Sequence, residues 1–299
     1  MSAASYRNWG VACALVGVLA FSFRPLLIKL SYAASSISPT TLLFLRMALS
    51  APFFAVIAWW LRGREPRLTR RDWAGVAGLG FIGYYAASFL DFIGLQYVGA
   101  GVGRLILFLY PTLVLVLSFL FLAKRPGGRE LAALVLSYGG IALVVSDQVG
   151  VNREGKLFLL GVLLVFASAL CYAIYLVAGS QLVKRVGSMR FTAYSTLVAT
   201  APAVAQFVLF EPAGALTLPA SVWTYAALIA TVCTVFPLFL QAEALKRIGA
   251  NQFALVGAVS PVSVALLSAL GLDEPFGPRQ MTGALLVIAG VLLVSLKRS

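Results

Sequence analysis

The chain has 299 residues, of which 61% are hydrophobic and only 11% charged, whereas soluble domains carry about 25% charged residues. Its formal net charge of +13 does not point to nucleic acid, because Lys and Arg stand in short clusters between apolar runs, a pattern that sets membrane topology. Histidine is absent and the three cysteines, Cys13, Cys171 and Cys233, lie inside apolar runs, which argues against a zinc site, a disulfide framework or an imidazole proton shuttle.

A helix needs roughly 20 apolar residues to cross a hydrocarbon core about 30 Å thick. Ten segments come close to this. The first, 9–31, carries Phe21, Arg24 and Pro25, and the second, 39–61, opens on Pro39 and holds Arg46. Segment 73–95 sets Tyr84, Ser88 and Asp91 on one stripe, and 99–122 does the same with Arg104, Phe108 and Pro111, beside Tyr110. Segment 130–147 contains Gly139-Gly140-Ile141, and 157–181 aligns Ser168, Tyr172, Tyr175 and Gly179. After 191–211 comes 221–245, with Thr231, Thr234, Leu238 and Gln241 on a stripe; 251–272 carries Pro261, and 279–296 closes the series. Sustained period-2 alternation is absent, so the expected fold is all-α, because lipid leaves no backbone group to pair outside its own helix.

With the first end placed in the cytoplasm, sixteen of the 23 Lys and Arg fall at the inner side and four (Lys29, Arg153, Lys156, Arg279) at the outer side. Arg24, Arg46 and Arg104 lie within helices. This bias predicts both termini cytoplasmic. No Asn-x-Ser/Thr sequon is present, in keeping with a bacterial inner-membrane protein.

The chain repeats at an offset of 150 residues: Gly99-Ala100 matches Gly249-Ala250, Pro111 matches Pro261, Gly140 matches Gly290, Trp73 matches Trp223 and Ala51-Pro52 matches Ala201-Pro202. The units are read as 1–150 and 151–299. Five helices is an odd number, so the second unit enters the bilayer upside down, as in carriers built from inverted repeats.

On these features the chain resembles the EamA-type ten-helix branch of the drug/metabolite transporter superfamily. The resemblance rests on the doubled five-helix unit, Leu45-Arg46-Met47, Ala244-Leu245-Lys246-Arg247-Ile248-Gly249-Ala250, the Pro111 and Pro261 helices, and Gly139-Gly140-Ile141 with Ala289-Gly290-Val291. It implies a helical basket around a central cavity and export of amino acids or related metabolites; the aromatic content is most similar to exporters of aromatic amino acids. The chain departs from the family pattern in one place: Glu274-Pro275 keeps the acidic residue after the fourth helix of a unit, where the first unit has Lys124-Arg125-Pro126.

The expected substrate site gathers Phe21, Tyr84, Ser88, Phe108, Tyr110, Tyr172, Tyr175 and Thr234, although interhelical packing is the plainer role for any one of them. Asp91 and Arg104 flank the turn at Tyr97 at nearly one depth, which predicts an ion pair, structural or part of a gate. Arg24 is expected to snorkel outward beside Pro25, and Arg46 to bind carbonyls or a substrate carboxylate. Glu243 should pair near Lys246 and Arg247, and Pro111 and Pro261 are hinge candidates because each removes a backbone donor. Gly150-Val151-Asn152-Arg153-Glu154-Gly155-Lys156 mimics a phosphate loop, but Leu157 stands where a magnesium-binding Ser or Thr is needed. No nucleotide, cofactor, metal or catalytic residue is therefore expected; the partners are a small solute and the bilayer, and the chain acts as monomer or homodimer. The leading function is a secondary transporter exporting large or aromatic amino acids by alternating access. The alternatives are a carrier of organic anions using Arg24, Arg46 and Arg104, and an intramembrane enzyme.

Overall fold

The computed structural model describes residues 3–62, 68–122, 127–151, 155–257, 259–272 and 277–295. The Lys124-Arg125-Pro126 and Glu274-Pro275 segments, and Asn152–Glu154 of the phosphate-loop mimic, lie outside them. Among the described residues, eight helical stretches are long and apolar enough to cross a bilayer, and two shorter apolar helices, Val259–Gly271 and Pro278–Leu293, fall where the last two segments are expected. The fold is an all-α membrane bundle.

In chain order, α1 is Ala3–Ala34, α2 Pro39–Leu61, α3 Arg70–Gly80, α4 Ala87–Tyr97, α5 Ala100–Leu107, α6 Tyr110–Leu122 and α7 Gly128–Val151. The second half comprises α8 Gly155–Val186, α9 Ser188–Phe210, α10 Ala220–Ala230, α11 Phe236–Gly257, α12 Val259–Gly271 and α13 Pro278–Ser295. A π-helical turn, Phe81–Ala86, joins α3 to α4, and another, Thr231–Val235, joins α10 to α11. The two turns stand one repeat length apart.

Local chemistry sets several of these boundaries. Ser38 caps α2 by accepting from Thr41 N at 3.0 Å, with Pro39 in the first turn, where a missing N–H costs nothing. Thr69 and Asp72 form a reciprocal capping box at the start of α3. A single residue, Gly187, joins α8 to α9 at φ 84°, a region that side chains with a Cβ rarely enter.

Equivalent helices of the two halves pack on each other and run antiparallel. Along α2 and α9, Ser38 reaches Glu211 and Phe44 stacks on Phe207 with ring centroids 4.1 Å apart. Farther along, Phe54 clusters with Ala193 and Leu197. Along α7 and α13, a Cβ on Gly140 would meet Gly283 O at 2.6 Å, and one on Gly290 would meet Ala133 O at 2.6 Å. Shifting either contact by 150 residues and exchanging the partners gives the other, as an approximate two-fold axis requires. The halves are thus inverted copies.

The structure differs from the sequence expectation at two helices. The segment at 99–122 is broken between α5 and α6, just before Pro111. Helical hydrogen bonding runs on through 244–250, where a turn is expected. The direction still reverses there: Leu240 lies against Gly17, Ile248 against Gly10 and Ser260 against Ser22, so the chain first descends and then climbs along α1.

The Gly140–Gly283 crossing carries a direct test. Gly140→Leu should lower the thermal stability of the detergent-solubilised protein by an amount matching about 2–3 kcal/mol, the order of an overpacked core site, and a melting curve within error of wild type would contradict the close approach.

Candidate functional site

Between the halves lies a cavity of about 180 Å³. Its lining includes Phe21 and Arg24 from α1, Arg46 from α2, Tyr84 and Ser88 around the first π turn, and Arg104, Phe108 and Tyr110 at the α5–α6 break. Ser168 and Tyr172 from α8, Thr234 from the second π turn, and Gln241 from α11 complete the polar and aromatic wall. Ten of the residues named from the sequence as substrate-binding or charged thus converge on one space.

The π turns explain part of that convergence. Each inserts an extra residue in a turn and so rotates the helix beyond it by about 100° relative to an unbroken α-helix. Thr234 donates to Ile229 O, five residues back, at 2.8 Å, while its oxygen receives Arg46 Nε at 3.2 Å. Tyr84 holds the equivalent place in the first half.

The intramembrane charges are arranged differently from the expected Asp91–Arg104 pair. Asp91 accepts from Arg24 Nη2 at 2.7 Å, with both side chains buried, so Arg24 does not snorkel outward. Arg104 turns instead to α12, where its Nε and Nη2 lie 2.9 and 2.6 Å from Ser260 Oγ. Shared depth is therefore insufficient to pair two residues. Rotation about the helix axis decides which neighbour each one meets, and α4 presents Asp91 to α1 while α5 presents Arg104 to α12. Arg24 and Arg104 nevertheless converge on one ring, their guanidinium carbons 4.8 and 5.0 Å from the Phe21 centroid.

Hydroxyls hold the other two cations. Ser22 donates to Val18 O at 2.8 Å, so the 2.9 Å contact between Ser22 and Ser260 is donated by Ser260, whose two lone pairs receive Arg104. Arg46 Nη1 donates to Ser88 at 2.6 Å, its Nε to Thr234, and its guanidinium lies 5.8 Å from the Phe92 ring. Among the described residues, neither Arg46 nor Arg104 has a carboxylate partner. Arg24 Nε is buried without an acceptor.

Tyr175 is not part of the lining. It stands behind Tyr84, 3.3 Å between the hydroxyls, and stacks on Phe191, so it supports the wall. Asp91 likewise sits behind Arg24. The sequence reading missed Ser260 and Ser22; the signal for Ser260 was its place directly before the repeat-matched Pro261, opposite Tyr110 before Pro111. Glu243 pairs with Arg247 at 2.5 Å, away from the cavity. No group of three Cys, Asp or Glu among the described residues could hold a metal ion.

A basket of inverted five-helix units around a polar, ring-lined hollow is matched by the EamA-like transporter family model twice, over residues 8–146 and 159–296. The chain belongs to the EamA-like transporter family. It is similar to an uncharacterized transporter of Bacillus subtilis, YcbK, at 30% identity over 92% of this chain and 88% of that one. A second B. subtilis transporter, YyaM, is 27% identical over 88% of this chain and 87% of its own. An uncharacterized transporter of Archaeoglobus fulgidus is 26% identical over 98% of this chain and 100% of its own. A crystal structure at 18% identity covers 98% of this chain and is itself covered in full, with a TM-score of 0.66, a likeness of fold. The family and its named members are transporters, not enzymes, which removes the intramembrane-enzyme alternative.

The Arg24–Asp91 pair makes a stability prediction. Asp91→Asn leaves a buried guanidinium uncompensated and should destabilise the protein by about 3 kcal/mol, and adding Arg24→Gln should recover part of that loss. A double-mutant cycle on melting temperature measures it; additive effects would mean the two side chains do not interact.

Proposed function

We propose that this EamA-family transporter is a secondary carrier for small solutes bearing an anionic group on an apolar body, exposing the cavity alternately to the two sides of a bacterial inner membrane. The observation that carries this reading is the charge of the cavity: Arg24, Arg46 and Arg104 line it, and among the described residues Asp91 alone answers them, through Arg24. A desolvated guanidinium at membrane depth costs about 2.5–3.5 kcal/mol on insertion scales, and an incoming carboxylate offsets that cost. The rings of Phe21, Phe108, Tyr110 and Tyr172 supply apolar contact for the rest of the solute. This favours the organic-anion expectation over the amino-acid one. An amino acid remains a second reading because the same rings and the Gln241 amide accept an ammonium group. The volume, below the roughly 300–1,000 Å³ of drug-sized sites, suits a small solute.

Ties between the halves at both ends of the bundle support the proposed alternation. At the end where α1 begins, Arg185 pairs with Asp72 at 2.6 Å and Trp73 packs on Tyr194, 5.0 Å between ring centroids. At the other end, Ser38 bonds Glu211, Tyr85 bonds Gln206 at 2.7 Å, and Phe44 stacks on Phe207. Rocking of the halves opens one set while the other holds. The α5–α6 break before Pro111 is the hinge in this scheme, with Pro261 as its counterpart. Both termini are cytoplasmic, placing the Arg62–Arg71 and Lys184–Arg190 clusters inside.

Counterflow in proteoliposomes should move labelled small carboxylates, with and without an α-amino group, faster than empty liposomes do, the deaminated member competing at least as well. No uptake of either would reject the reading. Pro111→Ala should slow counterflow by about tenfold with solute affinity within about twofold of wild type, because it removes the ring that keeps α5 and α6 from joining into one helix across the break; unchanged turnover would remove Pro111 from the mechanism.

A further inference from the structure

Resting on that reading, we infer that the carried solute is a dianion whose two negative charges belong to separate acidic groups, as in a short dicarboxylate. Three guanidiniums line the cavity, and Asp91, the one carboxylate that answers them among the described residues, stands behind Arg24 and is committed to it at 2.7 Å. Two positive charges, on Arg46 and Arg104, are left with neutral partners. Burial of a cation against hydroxyls alone is unfavourable next to burial against an anion, because only the anion adds the attraction of opposite charges, which is strong in a low-dielectric site. A monoanion would leave one of the two cations uncompensated.

The geometry separates the two charges into distinct subsites. Arg46 is clamped by Ser88 at 2.6 Å and Thr234 at 3.2 Å, beside Phe92. Arg104 is clamped by Ser260 at 2.6 and 2.9 Å, beside Phe21. No described residue hydrogen-bonds both cations. Each guanidinium has five N–H donors and spends two on its clamp, so each keeps donors for a carboxylate without first breaking a bond. The clamps also span the halves: Thr234 and Ser260 belong to the second half, Arg46 and Arg104 to the first. A solute bridging both cations would thus act on two of the contacts that join the halves at the cavity.

The test uses the full chain in detergent, with binding of glutarate, its monomethyl ester, butyrate and phenyl phosphate measured by calorimetry at neutral pH. Glutarate is expected to bind about tenfold more tightly than its monomethyl ester, and Arg46→Gln or Arg104→Gln each to abolish that preference. Equal binding of diacid and ester would overturn the dianion and leave the anion carrier standing. Phenyl phosphate binding more tightly than the diacid would overturn the separation of the two centres. Failure of every carboxylate and phosphate to bind would remove the underlying anion reading as well. The diacid–ester comparison on the wild-type chain decides the matter even where a Gln variant does not fold.

Discussion

Hydrocarbon offers no hydrogen-bond partner, and this constraint governs the whole molecule. Each buried polar group must find its partner inside the protein or face a cavity. Ser and Thr side chains facing α-helical turns meet the constraint locally: Ser31 donates to Leu27 O, Ser268 to Val264 O and Thr200 to Thr196 O. Guanidiniums have too many donors for that solution. Arg24, Arg46 and Arg104 draw in an acid and hydroxyls from other helices, and the bundle is knitted together around them.

The scaffold is symmetric and its chemistry is not. Helix packing, π turns and the prolines at 111 and 261 obey the two-fold relation, whereas all three membrane-embedded cations and Asp91 come from the first half. The second half contributes the hydroxyls of Thr234 and Ser260 and the Gln241 amide, which stands where the repeat would place Asp91. The first half therefore carries the charge and the second half receives it, so motion between them changes the surroundings of each cation.

Much of this was legible in the sequence because a membrane helix advertises itself by length and composition. The repeat was readable from Pro, Trp and Gly, which apolar drift does not imitate. The polar stripes identified the cavity wall because a 3.6-residue period fixes which residues share a face. Rotation between neighbouring helices was not readable: it assigned Asp91 to Arg24 instead of Arg104, and it set Tyr175 behind Tyr84. The π turns were also invisible, since Phe81–Ala86 and Thr231–Val235 share no sequence signature.

That last dissimilarity has an evolutionary consequence. Two stretches with almost no residues in common adopt the same rare backbone irregularity at corresponding places, so the irregularity was inherited from a common five-helix ancestor before the copies diverged. Such an ancestor, pairing with an inverted copy of itself about a two-fold axis, would already have enclosed the hollow. With two copies in one chain each can specialise, and here the first holds the three cations of the cavity.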